Sequence, residues 1–229
     1  AKKTYIAGDD DQAIFKWAGA DVDHFIALKE EVNDIKVLDQ SYRIPGGPIH
    51  ELSQKIINKV QNRFEKTYKP RDEIGLLKRY SDITQVDMSK GNWLVLSSAN
   101  YFLDDAKDLC EIQGWYYQYK GMNSVSLKLL LALNNWESWR KGEWLNHLEI
   151  KNIYQYLGSN VAVGYQKGKT LHSDAKYTLK ECQEQHGLKT SNVWYKSFEG
   201  LDPMTETYIR NMRANGEMIN KNPRIIMST

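Results

Sequence analysis

The chain has 229 residues, enough to bury a sizeable core in one large domain or two small ones. Its 31 basic and 29 acidic side chains leave a formal net charge of +2, so no global field pulls it toward nucleic acid or anionic lipid, and any such contact must come from a local surface. A hydrophobic share of 41% against 26% charged excludes a disordered chain. Cys110 and Cys182 lack metal-ligand spacing, which argues against a zinc site or disulfide framework and fits a reducing compartment. The longest strongly apolar run, residues 127–133, is too short to cross a bilayer, and no signal-peptide pattern opens the chain. A soluble, cytoplasmic protein with no membrane partner is expected.

In chain order, residues 4–7 read as a short strand ending at Gly8. Residues 21–31 place Val22, Phe25, Ile26 and Leu28 at helical spacing. A second strand is expected over 35–38. Pro45 and Pro48 then introduce a helix carrying Ile49, Leu52, Ile56, Ile57 and Val60. Residues 63–90 are charged and broken, with room for one strand, and the scattered cations Lys66, Lys69, Arg71, Lys78 and Arg79 read as a solvated face. Residues 93–96 form a strand. Asn100 is placed to cap the next helix, whose stripe is Leu103, Ala106, Leu109 and Cys110 and which Gly114 stops. A strand over 115–119 follows. This alternation predicts an α/β fold with a largely parallel sheet.

Past Gly121 the pattern turns helical, over 125–139, 147–157, 173–186 and 202–215. The last segment has Asp202 as N-cap, Pro203 at its first position and Gly216 just beyond it. Trp136, Trp139 and Trp144 read as packing for these helices, and the five histidines as surface or capping groups. Residues 223–227 return to strand. A mostly helical insertion within an α/β domain is expected, leaving the sheet near Gly121 and rejoining it near Arg224. Both ends of the chain read as strands, as in a piece of a longer protein.

Two segments carry chemistry. In 8–20 a strand ends in glycine, three carboxylates (Asp9, Asp10, Asp11) precede Gln12, and Phe15 and Trp17 follow two apart. Ligands bind at strand ends in open α/β sheets. A glutamine there can donate to a phosphate oxygen, and two rings on one side of an extended segment can sandwich a nucleobase, worth roughly 1–3 kcal/mol per base regardless of identity. The plain alternative is an acidic turn followed by two core aromatics. In 38–45, Tyr42 and Arg43 adjoin at a strand end, where a ring can stack on adenine while a guanidinium forks onto phosphate.

The first segment resembles motif III of the superfamily 1 DNA helicases of the UvrD/Rep/PcrA type, with Phe15 for the usual Tyr and Ala18 for the usual Arg. The second resembles motif IV of the same family, with Ser41 for the common Asn. The resemblance implies that Gln12 senses the γ-phosphate of ATP, Tyr42 packs on the adenine, Arg43 acts as an arginine finger, and Phe15 and Trp17 stack on single-stranded DNA. A third segment, 94–100 with 114–121, resembles the family's second RecA-like domain and makes Ser98 and Asn100 phosphate-contact candidates; capping by Asn100 is the plain alternative.

The resemblance implies a second RecA-like domain of the P-loop NTPase type interrupted by a mostly helical subdomain. Residues 1–20 would close the first RecA-like domain, 21–121 belong to the second, 122–222 form the insertion, and 223–229 return to the sheet just before motif V. ATP and Mg²⁺ are the implied cofactors, but neither GxxxxGK[ST] nor DExxD occurs here, so the metal ligands would lie outside this chain. The implied partners are single-stranded DNA, single-strand/duplex junctions and the first RecA-like domain of the same parent chain. The implied activity is ATP-dependent translocation and unwinding, 3′ to 5′. Two alternatives remain: a non-enzymatic module that binds single-stranded DNA or docks a partner, and the helicase-like part of a nuclease–helicase fusion.

Overall fold

The computed structural model describes residues 4–12, 19, 21–158, 171–217 and 222–229. The chain divides into two compact units, residues 1–79 and 80–229. The division falls inside the 21–121 span expected to form one domain.

In the first unit, a 3₁₀ turn at Asp10–Gln12 precedes helix α1 (Val22–Ala27), whose N-terminus is capped by the Asp21 carboxylate accepting from the His24 amide at 3.0 Å. Strand β1 (Gln40–Gly46) leads through Gly47, at φ +72°, into α2 (Pro48–Ile57), with Pro48 in the first turn as its fixed φ favours. Strand β2 (Lys69–Ile74) pairs in parallel with β1, completing a β–α–β unit. His50 ties α2 to the approach of β2 through a 2.8 Å contact between its Nε2 and the Tyr68 carbonyl.

The strands expected over 4–7 and 35–38 do not form; Tyr5, Ile6 and Leu38 are exposed instead. A β-prone run needs a partner for its backbone groups. Regular pairing begins only at Gln40, whose amide reaches the carbonyls of Lys69 and Pro70 at 3.4 and 3.2 Å. Among the described residues of this unit no large apolar side chain is fully buried, and Ile56 of the α2 stripe lies open to solvent.

The second unit holds the hydrophobic core. Strand β3 (Trp93–Leu96) is followed by a 3₁₀ turn at Asn100–Leu103 and helix α3 (Asp104–Gln113). Strands β4 (Tyr117–Tyr119) and β5 (Met122–Asn123) form a tight hairpin. Helix α4 (Leu127–Arg140) comes next, then β6 (Leu145–Asn146) and α5 (His147–Tyr154). Strand β7 (Lys176–Tyr177), α6 (Leu179–Gln185), α7 (Trp194–Ser197), α8 (Pro203–Ala214) and β8 (Ile225–Ser228) follow.

The main sheet runs β3–β8–β4–β5, its first three strands mutually parallel, while β6 and β7 make a separate antiparallel pair. The molecule is thus mixed α/β with parallel strands. The chain leaves this sheet after Asn123 of β5 and re-enters it at Ile225. The sheet and the intervening helices share one core, in which Ile225 and Met227 of β8 join Leu130, Leu133, Trp136 and Trp139 of α4.

Caps set the helix starts. Asn146 with Glu149, and Thr178 with Glu181, form capping boxes. The second of these fixes the start of α6 at Leu179, so the helix expected from 173 is shorter and Lys176 and Tyr177 pair with β6 instead. Asp202 caps α8 and Pro203 fills its first turn. Trp144, expected among the packing aromatics, is 56% exposed, because it lies in the loop before β6 rather than on α4. Cys110 and Cys182 are free and buried, and burial pushes their thiols up to about 12 and about 11. Among the described residues no helix is long and apolar enough to cross a membrane.

One face of the main sheet packs on the core. The other shows Leu94 and Leu96 at 63% and 67% exposure, with Ile226 beside them.

Gly114 is where α3 touches α8. It ends α3 in a left-handed conformation at φ +70°, and an added Cβ would lie 2.5 Å from the carbonyl carbon of Asn211. Gly114→Ala combines a disfavoured backbone with an overpacked contact and is expected to destabilise the second unit by about 2–4 kcal/mol in urea unfolding.

Candidate functional site

The acidic turn is organised by two cations from a distant part of the same unit. Asp9, Asp10 and Asp11 present carboxylate oxygens within 4.8 Å of one another, an arrangement that self-repulsion would open. The ammonium of Lys66 sits among them, 2.8 Å from Asp9 Oδ1 and 3.2 Å from Asp11 Oδ2, and also bonds Asp10. Arg63 forks onto Asp11, with Nε at 3.0 Å and Nη2 at 2.8 Å, and the Phe64 amide donates to Asp10 at 2.6 Å. Lys66 is only 8% exposed. It is the keystone of the turn rather than part of the solvated basic face the sequence suggests. The clue in the sequence is the triple carboxylate itself, which demands cations without saying which ones.

Burial would raise the carboxyls of Asp9 and Asp10, but hydrogen bonds from Lys66, with help from Gln12 on Asp9 and the Phe64 amide on Asp10, hold both below their ordinary value of 3.8. For Lys66, burial opposes the charge and the three carboxylates overcome it, raising the ammonium above its ordinary 10.5. With this ammonium and the Arg63 guanidinium in place, the cluster is already neutralised and does not suit Mg²⁺.

Gln12 ends the turn, exposed, its Nε2 donating to Asp9 Oδ2 at 2.5 Å. The amide expected to read a phosphate is therefore engaged, and Lys66 holds the carboxylate that engages it. Tyr42 and Arg43 lie on β1. Tyr42 is 82% exposed, and no hydrogen bond or ion pair involves the exposed Arg43 guanidinium among the described residues. The Ser41 hydroxyl accepts from the amides of Arg43 and Ile44 at 3.4 and 3.1 Å, shaping the backbone beneath the pair. An exposed ring can pack on an adenine, and an unpaired guanidinium can bind a phosphate. No hydrogen bond joins Gln12 to Arg43. Phe15 and Trp17 lie outside the described residues.

Ser98 and Asn100 belong to the second unit, beyond the C-terminal end of β3. Asn100 is not a helix cap. Its Oδ1 accepts from the Tyr119 hydroxyl at 2.9 Å and from Thr229 Oγ1 at 3.3 Å, binding together the tips of β3, β4 and β8, and Ala99 occupies the cap position without a side-chain bond. With the amide oxygen held on two hydroxyls, its –NH₂ faces away from them and donates to no described group. Lys107 and Lys120 lie over the Tyr119 ring, at 4.6 and 5.2 Å from its centre. The side chain of Ser98 is exposed and makes no hydrogen bond among the described residues. Sequence reasoning did not anticipate these lysines, because their convergence on one ring comes from the sheet order.

Lys66→Met removes a buried charge and leaves three crowded carboxylates with Arg63 alone. The depressed Asp9 and Asp10 values make the pairing stabilising above pH about 4, and it is lost as pH falls through the lower folded values; the raised Lys66 value extends it past the ordinary lysine range. The Phe64 amide in Lys66→Met is expected to exchange with solvent at least about tenfold faster than in the parent chain at pH 7, the gap closing toward pH 3. No protein-family model matches the chain, and no curated protein or solved structure shows significant similarity to it.

Proposed function

We propose that the chain is part of an ATP-dependent superfamily 1 DNA helicase that translocates 3′ to 5′ on single-stranded DNA, with 21–121 and 223–229 belonging to a second RecA-like domain and 122–222 to a helical subdomain that interrupts it. The observation that carries this reading is the adjacent, unengaged Tyr42 and Arg43 on β1, in the same unit as the Gln12 turn and in the same chain order as the two resembling motifs. The parallel order β3–β8–β4, with β8 arriving from a long helical excursion, supports the architecture.

In this mechanism ATP supplies the free energy of phosphoryl transfer to water, and Mg²⁺, held by groups outside this chain, offsets phosphate charge. The residues here do the sensing. Tyr42 packs its ring on the adenine. Arg43 places its guanidinium on the γ-phosphate, where it stabilises negative charge as phosphoryl transfer proceeds. Gln12 exchanges Asp9 for a γ-phosphate oxygen, and Lys66 keeps the released Asp9 carboxylate neutralised. Because Gln12 precedes Phe15 and Trp17 on one short segment, this exchange shifts the two rings that hold a base. The contacts with single-stranded DNA are stacking and backbone charge, so they read no sequence. Ser98 and Asn100 add phosphate contacts. A non-enzymatic DNA-binding module would keep the stacking and lose the dependence on nucleotide.

The test is single-stranded DNA binding by the 229-residue chain, followed by anisotropy of a labelled oligothymidylate. Binding is expected to weaken with added salt, and Trp17→Ala to lower affinity about tenfold. Unchanged affinity in Trp17→Ala overturns the stacking assignment. Paired in trans with a domain carrying a phosphate loop, the chain is expected to support ATP hydrolysis that Arg43→Ala abolishes; activity indifferent to Arg43 leaves the binding module.

A further inference from the structure

Among the helices of the second unit lies a shallow, open pocket of about 340 Å³, lined by Glu137, Lys141, Val193, Trp194, Tyr195, Arg210 and Arg213. Its charge is one-sided. Glu137, its one acidic lining residue, is already spent: Oε2 takes the Arg140 guanidinium at 2.6 Å, and Oε1 accepts the Trp194 amide at 3.1 Å. Arg210 reaches Glu206 only loosely, at 3.6 Å, and rests on the Tyr195 ring, 4.8 Å from its centre. Lys141 is exposed and makes no ion pair among the described residues. Arg213 is the decisive group. Its guanidinium has no hydrogen bond or ion pair among the described residues, and its Nη1 is shut off from solvent without an acceptor. A shielded guanidinium N–H without a partner is costly, and no described group of the protein relieves it.

We infer that this pocket is a binding site for a phosphate group. Three cations converge there with no uncommitted acid. A single carboxylate would answer one of them, whereas a phosphate offers several strong acceptor oxygens and up to two negative charges at neutral pH. Two arginines suit it through their forked donors. The volume is at the lower end of small-molecule sites and exceeds a bare phosphate, leaving room for the group that carries it. That carrier is either a free phosphate monoester or the diester backbone of a polynucleotide. Arg210 already rests over the Tyr195 ring and Trp194 meets it edge-on at 87°, so charge rather than base stacking carries the inference. The pocket shares no residue with Gln12, Tyr42 or Arg43, so it holds or fails independently of the helicase reading.

The test follows the backbone amides of Trp194 and Tyr195 by NMR in the ¹⁵N-labelled 229-residue chain, titrated with inorganic phosphate, with acetate at matched ionic strength, and with oligothymidylate. Phosphate is expected to shift these signals saturably and acetate not to. Arg213→Gln and Lys141→Gln are each expected to weaken phosphate binding at least about fivefold; Lys141 is exposed, so its variant keeps the test valid if loss of Arg213 disturbs folding. Displacement of phosphate by oligothymidylate identifies the polynucleotide backbone as the source, and phosphate binding indifferent to oligonucleotide identifies a free monoester. No saturable effect of phosphate, an equal effect of acetate, or affinity unchanged in both variants overturns the inference.

Discussion

The second unit depends on the hydrogen bonding of its last strand. β8 is flanked by β3 and β4 and runs parallel to both, so neither neighbour completes the sheet without it. Parallel pairing cannot be closed by a tight turn and requires a long connection. Here that connection is the whole helical stretch after β5. Helix α8 brings the chain back, and Arg224 anchors its return by reaching the Glu217 carboxylate at 3.1 Å through Nε, with further bonds to backbone carbonyls of the segment before β3. The alternating inward Ile225 and Met227 then place β8 on the core. The convergence of Asn100, Tyr119 and Thr229 at the strand tips follows from this order.

The first unit is held together differently. Without a fully buried large apolar side chain among its described residues, it relies on the β1–β2 ladder, the His50 contact to Tyr68 and the ionic knot at Lys66. Ionic knots are directional where hydrophobic contacts are not. Both oxygens of Asp10 and of Asp11 are engaged, Lys66 takes Oδ1 of Asp9, and the Asp9 oxygen left over is the one that Gln12 takes. The same charges that stabilise the turn thus set the resting orientation of its terminal amide.

Much of this was legible in the sequence where local rules decide the outcome. Pro48 opening α2, Asp202 and Pro203 opening α8, Gly114 closing α3, and the burial of Trp136 and Trp139 all follow from propensity and periodicity. What failed depends on partners distant in sequence. Residues 35–38 have strand-like composition but no neighbour to pair with, whereas Gln40 finds one across 29 residues. Asn100 satisfies every local rule for a cap and instead accepts from a residue 129 positions away. Lys66 resembles any surface lysine until the three aspartates are seen beside it. Of the candidate site, Tyr42 and Arg43 are exposed but lie within β1 rather than beyond the end of a strand over 35–38, Gln12 is found already engaged, and Phe15 and Trp17 lie outside the described residues.

The uncovered face of the main sheet has a practical corollary for handling the protein. Parallel sheets are ordinarily screened on both sides, and a bare plate of leucine and isoleucine invites association whatever the charge elsewhere. With a net charge of only +2, long-range repulsion offers little colloidal protection. Leu96 is the natural lever for solubility engineering: its side chain points away from Val95 and Met227, so a polar replacement changes the sticky surface without disturbing the interior.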